Sequence, residues 1–278
     1  MRLLAQLILF FLAAQLIGTF VAVVLSEDYS ANPYVQDLYL KEQGSSESIF
    51  DVALLLGLIL LGTLVIILLI KYYKGQLLFL LMEFFLISVT SSVFFYSLFR
   101  IGFPYLESMG IGILLGIILA IGKIKYLWLK NPSATIAAGV VGALFGISFS
   151  PSLIILFLVF LFIYDYIAVF KTKHMVEMAK FITKKEMPFT ITSKVKLPGK
   201  KEQRIDLGTG DLLAPIMLGV SFLSINPLGY YLSFLGGIIG ILVIYYILSK
   251  KRMFLPALPP IVGAMLVLLG IAYVFGLL

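Results

Sequence analysis

The sequence predicts an all-α polytopic membrane protein of nine transmembrane helices, and three observations predict it. The 278 residues are 61% hydrophobic and 13% charged, with mean hydropathy +1.10, a composition that soluble domains do not reach. Apolar runs approach the roughly 20 residues needed to cross hydrocarbon nine times, at 3–25, 50–70, 76–99, 105–122, 133–149, 151–170, 207–225, 230–249 and 255–278. The basic residues, finally, fall on alternate connections. Arg2, Lys71 and Lys74, Lys123, Lys125 and Lys130, ten residues between Lys171 and Arg204, and Lys250 to Arg252 share one side, leaving Lys41 and Arg100 for the other. The positive-inside rule then expects a multi-pass protein of the cell membrane, its N-terminus cytoplasmic and its C-terminus outside.

Each element follows from its own stretch. The first run exceeds the 7–15 apolar residues of a signal peptide, and no small-residue cleavage site follows, so it reads as a retained span. Gln6 and Gln15 within it are expected to bond across helices or to carry no function. Residues 26–48 form an acidic outside loop, with Glu27, Asp28, Asp37, Glu42 and Glu47. The third span holds Glu83, for which a packing role facing the bundle outweighs a substrate or proton-path contact. The fourth and fifth spans are the shortest. Glycine pairs at four-residue spacing, Gly112/Gly116, Gly142/Gly146 and Gly236/Gly240, suit close helix packing. The chain thus divides into spans one to six (1–170), a basic loop (171–206) and spans seven to nine (207–278). Within that loop, FTITSKVKLPGKKEQRIDLG alternates β-branched and polar residues around Pro198-Gly199 and hints at a hairpin. A solvated basic loop against anionic lipid is the favoured reading.

Two residues stand out against this apolar background. Asp165 and Asp211 lie inside the sixth and seventh spans, where an aspartate costs about 2.5–3.5 kcal/mol. Asp165 precedes Lys171 by six residues, and Asp211 follows Arg204 by seven. At helical rise each lies about 9 Å inside the same face. Two carboxyls that meet in low dielectric can share one proton and supply an acid and a base together. Gly208 and Gly210 loosen the backbone before Asp211, and Pro215 is expected to kink the helix after it. Pro256, Pro259 and Pro260 predict an irregular start to the ninth span at the same depth.

The remaining composition excludes other chemistries. Without cysteine there is no disulfide, thiolate ligand or cysteine nucleophile. The lone histidine, His174, lies in the basic loop, so neither a paired-histidine zinc site nor a serine–histidine dyad can form within the spans. No lysine lies deep enough for a serine–lysine dyad. The net charge of +7 gathers on one face and suits lipid and topology rather than nucleic acid.

Tyr164-Asp165, Gly208-Thr209-Gly210-Asp211 and Pro256-Ala257-Leu258 match, in order, the YD, GxGD and PAL motifs of the presenilin and signal peptide peptidase family. The chain resembles that family over its whole architecture, and its small size and short sixth-to-seventh loop are similar to prokaryotic, archaeal-type presenilin homologues. The resemblance implies an intramembrane aspartyl endopeptidase of nine spans, with Asp165 and Asp211 as catalytic dyad. Gly208, Thr209 and Gly210 would shape the backbone beside Asp211, Pro256, Ala257 and Leu258 would help form the active-site floor, and Tyr164 would border it. It further implies single-span membrane proteins or remnant signal peptides as substrates, no cofactor or metal, and no obligatory partner subunit. Phe254-Leu255 replaces the glutamine that precedes PAL in signal peptide peptidases, which favours the presenilin-like orientation. Two alternatives stand beside this reading: a prepilin peptidase-like aspartyl protease, and a proton-coupled transporter or cation leak channel with ion-binding carboxylates.

Overall fold

The computed structural model describes residues 2–31, 76–167, 190–195, 203–250 and 257–278, with isolated positions between 54 and 65. Its elements are α1 (Arg2–Ala31), α2 (Gln76–Arg100), α3 (Tyr105–Lys125), a 3-10 turn (Leu127–Leu129), α4 (Lys130–Ser148), α5 (Pro151–Ile167), β1 (Thr190–Val195), β2 (Gln203–Gly208), α6 (Thr209–Phe222), α7 (Pro227–Lys250) and α8 (Leu258–Val274). Eight of the nine apolar segments thus coincide with helices. The second, at 50–70, lies outside the described residues apart from isolated positions, as do His174, Pro198-Gly199 and Pro256.

Among the described residues, five stretches of helix are long and apolar enough to cross a membrane: those in α1, α2, α3 and α7, and α4 with its preceding turn. α5 and α8 have 17 residues each and α6 only 14. Fourteen residues rise about 21 Å, short of a hydrocarbon layer of about 30 Å. α6 tolerates this because it is the centre of the bundle. Leu212 and every residue from Ala214 to Phe222 are buried, so the body of the helix meets protein rather than lipid. The outer helices face the other way: Leu106, Leu114, Ile118 and Ile121 of α3, with Leu81 and Phe85 of α2, expose an apolar surface suited to lipid.

The glycine pairs fix the helix distances. Cβ atoms on Gly142 and Gly146 would lie 2.8 and 2.5 Å from the Cβ atoms of Ile216 and Val220, so α4 and α6 approach almost to backbone contact. A Cβ on Gly236 would lie 2.6 Å from the Met265 Cα, and one on Gly240 would collide with the Ile261 Cα, which seats α7 on α8. Gly112 and Gly116 similarly seat α3 against the backbone of α2 at Ser92 and Ser88. Packing, the role the spacing suggests, accounts for all three pairs.

The charged residues inside the bundle also pair. Glu83 forms an ion pair with Lys123, both buried, linking α2 to α3 near one end. That contact favours the packing role for Glu83. At the other end the expected acidic loop begins later than its composition suggests. α1 runs on through Glu27 and Asp28 to Ala31, because Asp28 is 4% exposed and bonded to the Tyr96 hydroxyl and, at 2.9 Å, to Arg100 Nε. Residues 32–48 of that loop lie outside the described residues.

One expectation is corrected outright. At 190–195 and 203–208, β1 and β2 form an antiparallel hairpin, Thr190 facing Gly208 through Val195 facing Gln203, in place of the solvated basic loop, of which 171–189 and 196–202 lie outside the described residues. The reason is local: the facing pair Ile191 and Leu207 is buried in the core, and burying each stabilises by about 1.5–3 kcal/mol.

Candidate active site

α5 brings Asp165 inward on the helical face of Ile154, Leu158 and Leu161, spaced at three or four residues. Sequence alone leaves that rotation open, and the burial of Ile154 and Leu158 fixes it. Asp165 is 7% exposed. Tyr164, the next residue round the helix, is half-buried.

Asp211 reaches the same region by a different route. Helical rise from Arg204 does not apply, because Gln203–Gly208 is strand and the helix begins only at Thr209. Asp211 is therefore the third residue of α6, inside its first turn, where backbone N–H groups lack helical partners and a carboxylate is favoured. Its Oδ2 accepts a hydrogen bond from the Gly208 N–H at 3.1 Å. Gly208 has φ −64° and ψ 143°, which any residue adopts, so glycine is not needed there for conformation. It is needed for space: a Cβ would lie 2.9 Å from Asp211 Oδ2. Gly210, by contrast, is exposed, with no atom within 4 Å of a Cβ built on it. α6 continues through Pro215 to Phe222 as one helix. Pro215 lacks the N–H that would bond the Asp211 carbonyl four residues back, so that carbonyl is freed from the helix ladder.

The carboxyls of Asp165 and Asp211 lie close enough to act on each other electrostatically. The third expected element arrives as well: the backbone N–H of Leu258 approaches the Asp165 carboxyl. Of the expected irregular start of the ninth span, 255 and 256 lie outside the described residues. Leu258 opens α8 directly, and Pro259 and Pro260 occupy its first turn, where a missing N–H leaves no intrahelical bond unmade. Ala257 and Leu258 are half-buried, whereas Pro256 lies outside the described residues. Among the described residues no group of three or more His, Asp or Glu side chains comes together. The site offers two carboxyls, each met by a backbone N–H, rather than a ligand cluster.

The hairpin is anchored beside this site by residues that the motifs do not include. The Asn131 side chain donates from Nδ2 to the Thr192 carbonyl at 2.8 Å and accepts from the Thr192 N–H at 3.0 Å. Lys130 Nζ donates to Thr192 Oγ1 at 2.8 Å, and Ser193 Oγ donates to Gln6 Oε1 at 2.5 Å. Gln6 thus bonds to a strand rather than across helices, and Gln15 Nε2 is buried without a partner among the described residues. The Asn131-Pro132 dipeptide reads in sequence as a helix start, and only the hairpin reveals its second use.

Comparison with known proteins agrees with this arrangement. Two solved structures of a presenilin family intramembrane aspartate protease, in C222 and P2 crystal forms, share the fold. The first is 20% identical with TM-score 0.65, covering 95% of this chain and 94% of that one. The second is 21% identical with TM-score 0.61, covering 94% and 96%. No curated protein matches the sequence. A family model described as signal-peptide peptidase, presenilin aspartyl protease matches residues 10–276, which favours proteolysis over the ion-transport reading. The chain is a multi-pass membrane protein and belongs to the signal-peptide peptidase and presenilin family of intramembrane aspartyl proteases.

Proposed function

We propose that Asp165 and Asp211 are the catalytic dyad with which this intramembrane aspartyl endopeptidase cleaves single-span segments or remnant signal peptides. What supports the proposal is that the Asp165 carboxyl on α5 is near enough to act electrostatically on Asp211 of α6, in a chain of this family. One carboxylate takes a proton from water as its oxygen attacks the scissile carbonyl, while the protonated partner gives its proton to the carbonyl oxygen. The gem-diol collapses, the C–N bond breaks with a proton passing to nitrogen, and the dyad again holds one proton. No acyl-enzyme forms.

A helical substrate hides its carbonyls and must unwind first. The edge of β1 is occupied at Thr192 by Asn131, which favours strand addition along the outer edge of β2, leading to Gly208 and Asp211. Thr209 and the open space at Gly210 would border the extended substrate, Tyr164 would flank Asp165, and Pro256, Ala257 and Leu258 would line the floor. In the membrane we read nine spans, with 50–70 as the second, a cytoplasmic N-terminus and an outside C-terminus. No partner subunit is required in this reading.

Purified protein should cleave a single-span reporter in detergent, and both Asp165→Asn and Asp211→Asn should abolish cleavage while leaving the melting temperature near that of the parent. Full activity in either variant would remove the dyad assignment.

A further inference from the structure

Parity along the hairpin ties a residue of α4 to the orientation of Asp211. In an antiparallel pair, alternate residues direct both N–H and C=O toward the partner strand or away from it. Thr192 gives both groups to Asn131, so it points away from β2. Its facing residue, Asp206, must then direct its own backbone groups to the outer edge of β2. Gly208, two residues on and facing Thr190, has the same parity. Its N–H therefore points away from β1, and that is the N–H found on Asp211 Oδ2 at 3.1 Å. Two independent contacts, one on each strand, agree on a single parity.

The apolar pattern alone does not choose this register. A slip by two residues would set Val195 against Ile205 in place of the Ile191–Leu207 pair, bring Lys194 opposite Asp206, and keep every side chain on its face. It would also shift Gly208 along the ladder by about 6.8 Å, out of place for Asp211. What fixes the register is where each strand is held. β2 is continuous with α6, which is seated on α4 through Gly142 and Gly146. β1 is held on the same α4 by the carboxamide of Asn131, which pairs with Thr192 as a peptide group of a third strand would.

We propose that Asn131 is a positioning residue: by clamping both backbone groups of Thr192 it pins the β1–β2 register that delivers the Gly208 N–H to Asp211. This rests on reading Asp211 as catalytic. Lys130, bonded to the Thr192 hydroxyl, supports the clamp but does not set the parity, since it binds a side chain.

The chain has no cysteine, so register can be read by paired cysteines in the purified full-length protein. Lys194 and Arg204 face each other with the parity of Thr192, at a Cα separation of about 4.5 Å that a disulfide spans. Lys194 and Asp206 are diagonal, about 7–8 Å apart, and close only after a two-residue slip. In the parent background K194C/R204C should oxidise and K194C/D206C should not. With Asn131→Leu, cross-linking should spread to K194C/D206C, and kcat on the reporter should fall roughly tenfold or more, the weight of two lost hydrogen bonds. Oxidising K194C/R204C in the Asn131→Leu protein should restore kcat to that of oxidised K194C/R204C alone, a rescue that general destabilisation would not give. Should Asn131→Leu fail to fold, Asn131→Asp keeps the size and the acceptor for the Thr192 N–H while removing the donor, and is read in the same way. Unchanged cross-linking selectivity, or a locked hairpin that does not recover turnover, overturns the proposal. Cross-linking is scored without substrate, so it judges the register separately from the dyad, which the aspartate variants test.

Discussion

Replacing Gly208 by alanine should disable the site without unfolding the bundle. The backbone at Gly208 lies in a region open to alanine, so the substitution strains nothing locally. Its Cβ, however, would stand 2.9 Å from Asp211 Oδ2, closer than carbon and oxygen normally pack, and the carboxyl would have to move. The 3.1 Å bond from the Gly208 N–H is then lost or lengthened. A hydrogen bond to a charged group contributes about 1.5–3 kcal/mol. If that interaction is needed in the transition state, kcat falls by roughly 10- to 150-fold, at about 1.4 kcal/mol per decade. Gly110→Ala on α3 is the matched control, because a Cβ there meets nothing within 4 Å. Alanine in place of glycine inside a helix also gains about 0.5–1 kcal/mol, so this variant should melt no lower than the parent and keep kcat within about threefold. The assay is initial-rate cleavage of a single-span reporter in detergent, with melting temperature measured on the same preparations. Equal losses in the two variants, or full turnover in Gly208→Ala, would refute the argument that Gly208 serves the Asp211 carboxyl.

Three further outcomes follow from contacts outside the site. Glu83→Gln should destabilise the protein by about 3 kcal/mol by breaking a buried ion pair, and adding Lys123→Met should recover most of that loss; a proton-path role would instead leave the double variant stable and inactive. Asp28→Ala removes the carboxylate shared by Tyr96 and Arg100, and thermal melting should show a loss of about 3 kcal/mol while the folded fraction still cleaves. Gly240→Val should push α8 away from α7 by adding bulk against the Ile261 backbone, and reporter turnover should fall more steeply than stability, because Leu258 starts the same helix beside Asp165.

Much of this molecule is legible in its sequence because bilayer physics leaves few options. An apolar run of about 20 residues must be helical, since lipid offers its backbone no partner. The helices of Arg2–Ala31, Gln76–Arg100 and Pro227–Lys250 accordingly lie where hydropathy puts them. The aspartates were visible because each is costly at its depth. What stayed hidden depended on tertiary contacts. Asp28 looks like a loop acid until Tyr96 and Arg100 come from 68 and 72 residues away. The hairpin looks like solvated basic chain because its lysines dominate the composition, whereas its order comes from one apolar pair, Ile191 with Leu207, and from polar anchors on α1 and α4. Asn131 gave no signal at all, since a carboxamide at a helix start has a local explanation.

The two carboxyls are held by different means, and this bears on how such a site can be regulated. Asp165 sits within a regular helix and is met by the start of α8, so its place depends on α5, α7 and α8 packing as rods. Asp211 sits at a strand-to-helix junction, so its place depends on a hairpin whose ladder, among the described residues, joins two strands. A two-stranded hairpin is marginal alone, and here it borrows order from α1 and α4 through Gln6, Lys130 and Asn131. Of the two aspartates, Asp211 is therefore the one whose geometry a third strand could improve. Strand addition by substrate along β2 would lengthen the ladder that ends at Gly208, coupling substrate binding to the carboxyl it needs. Extended substrates should then gain in kcat as well as in KM when residues pairing with β2 are added, whereas a preassembled dyad would show the gain in KM alone.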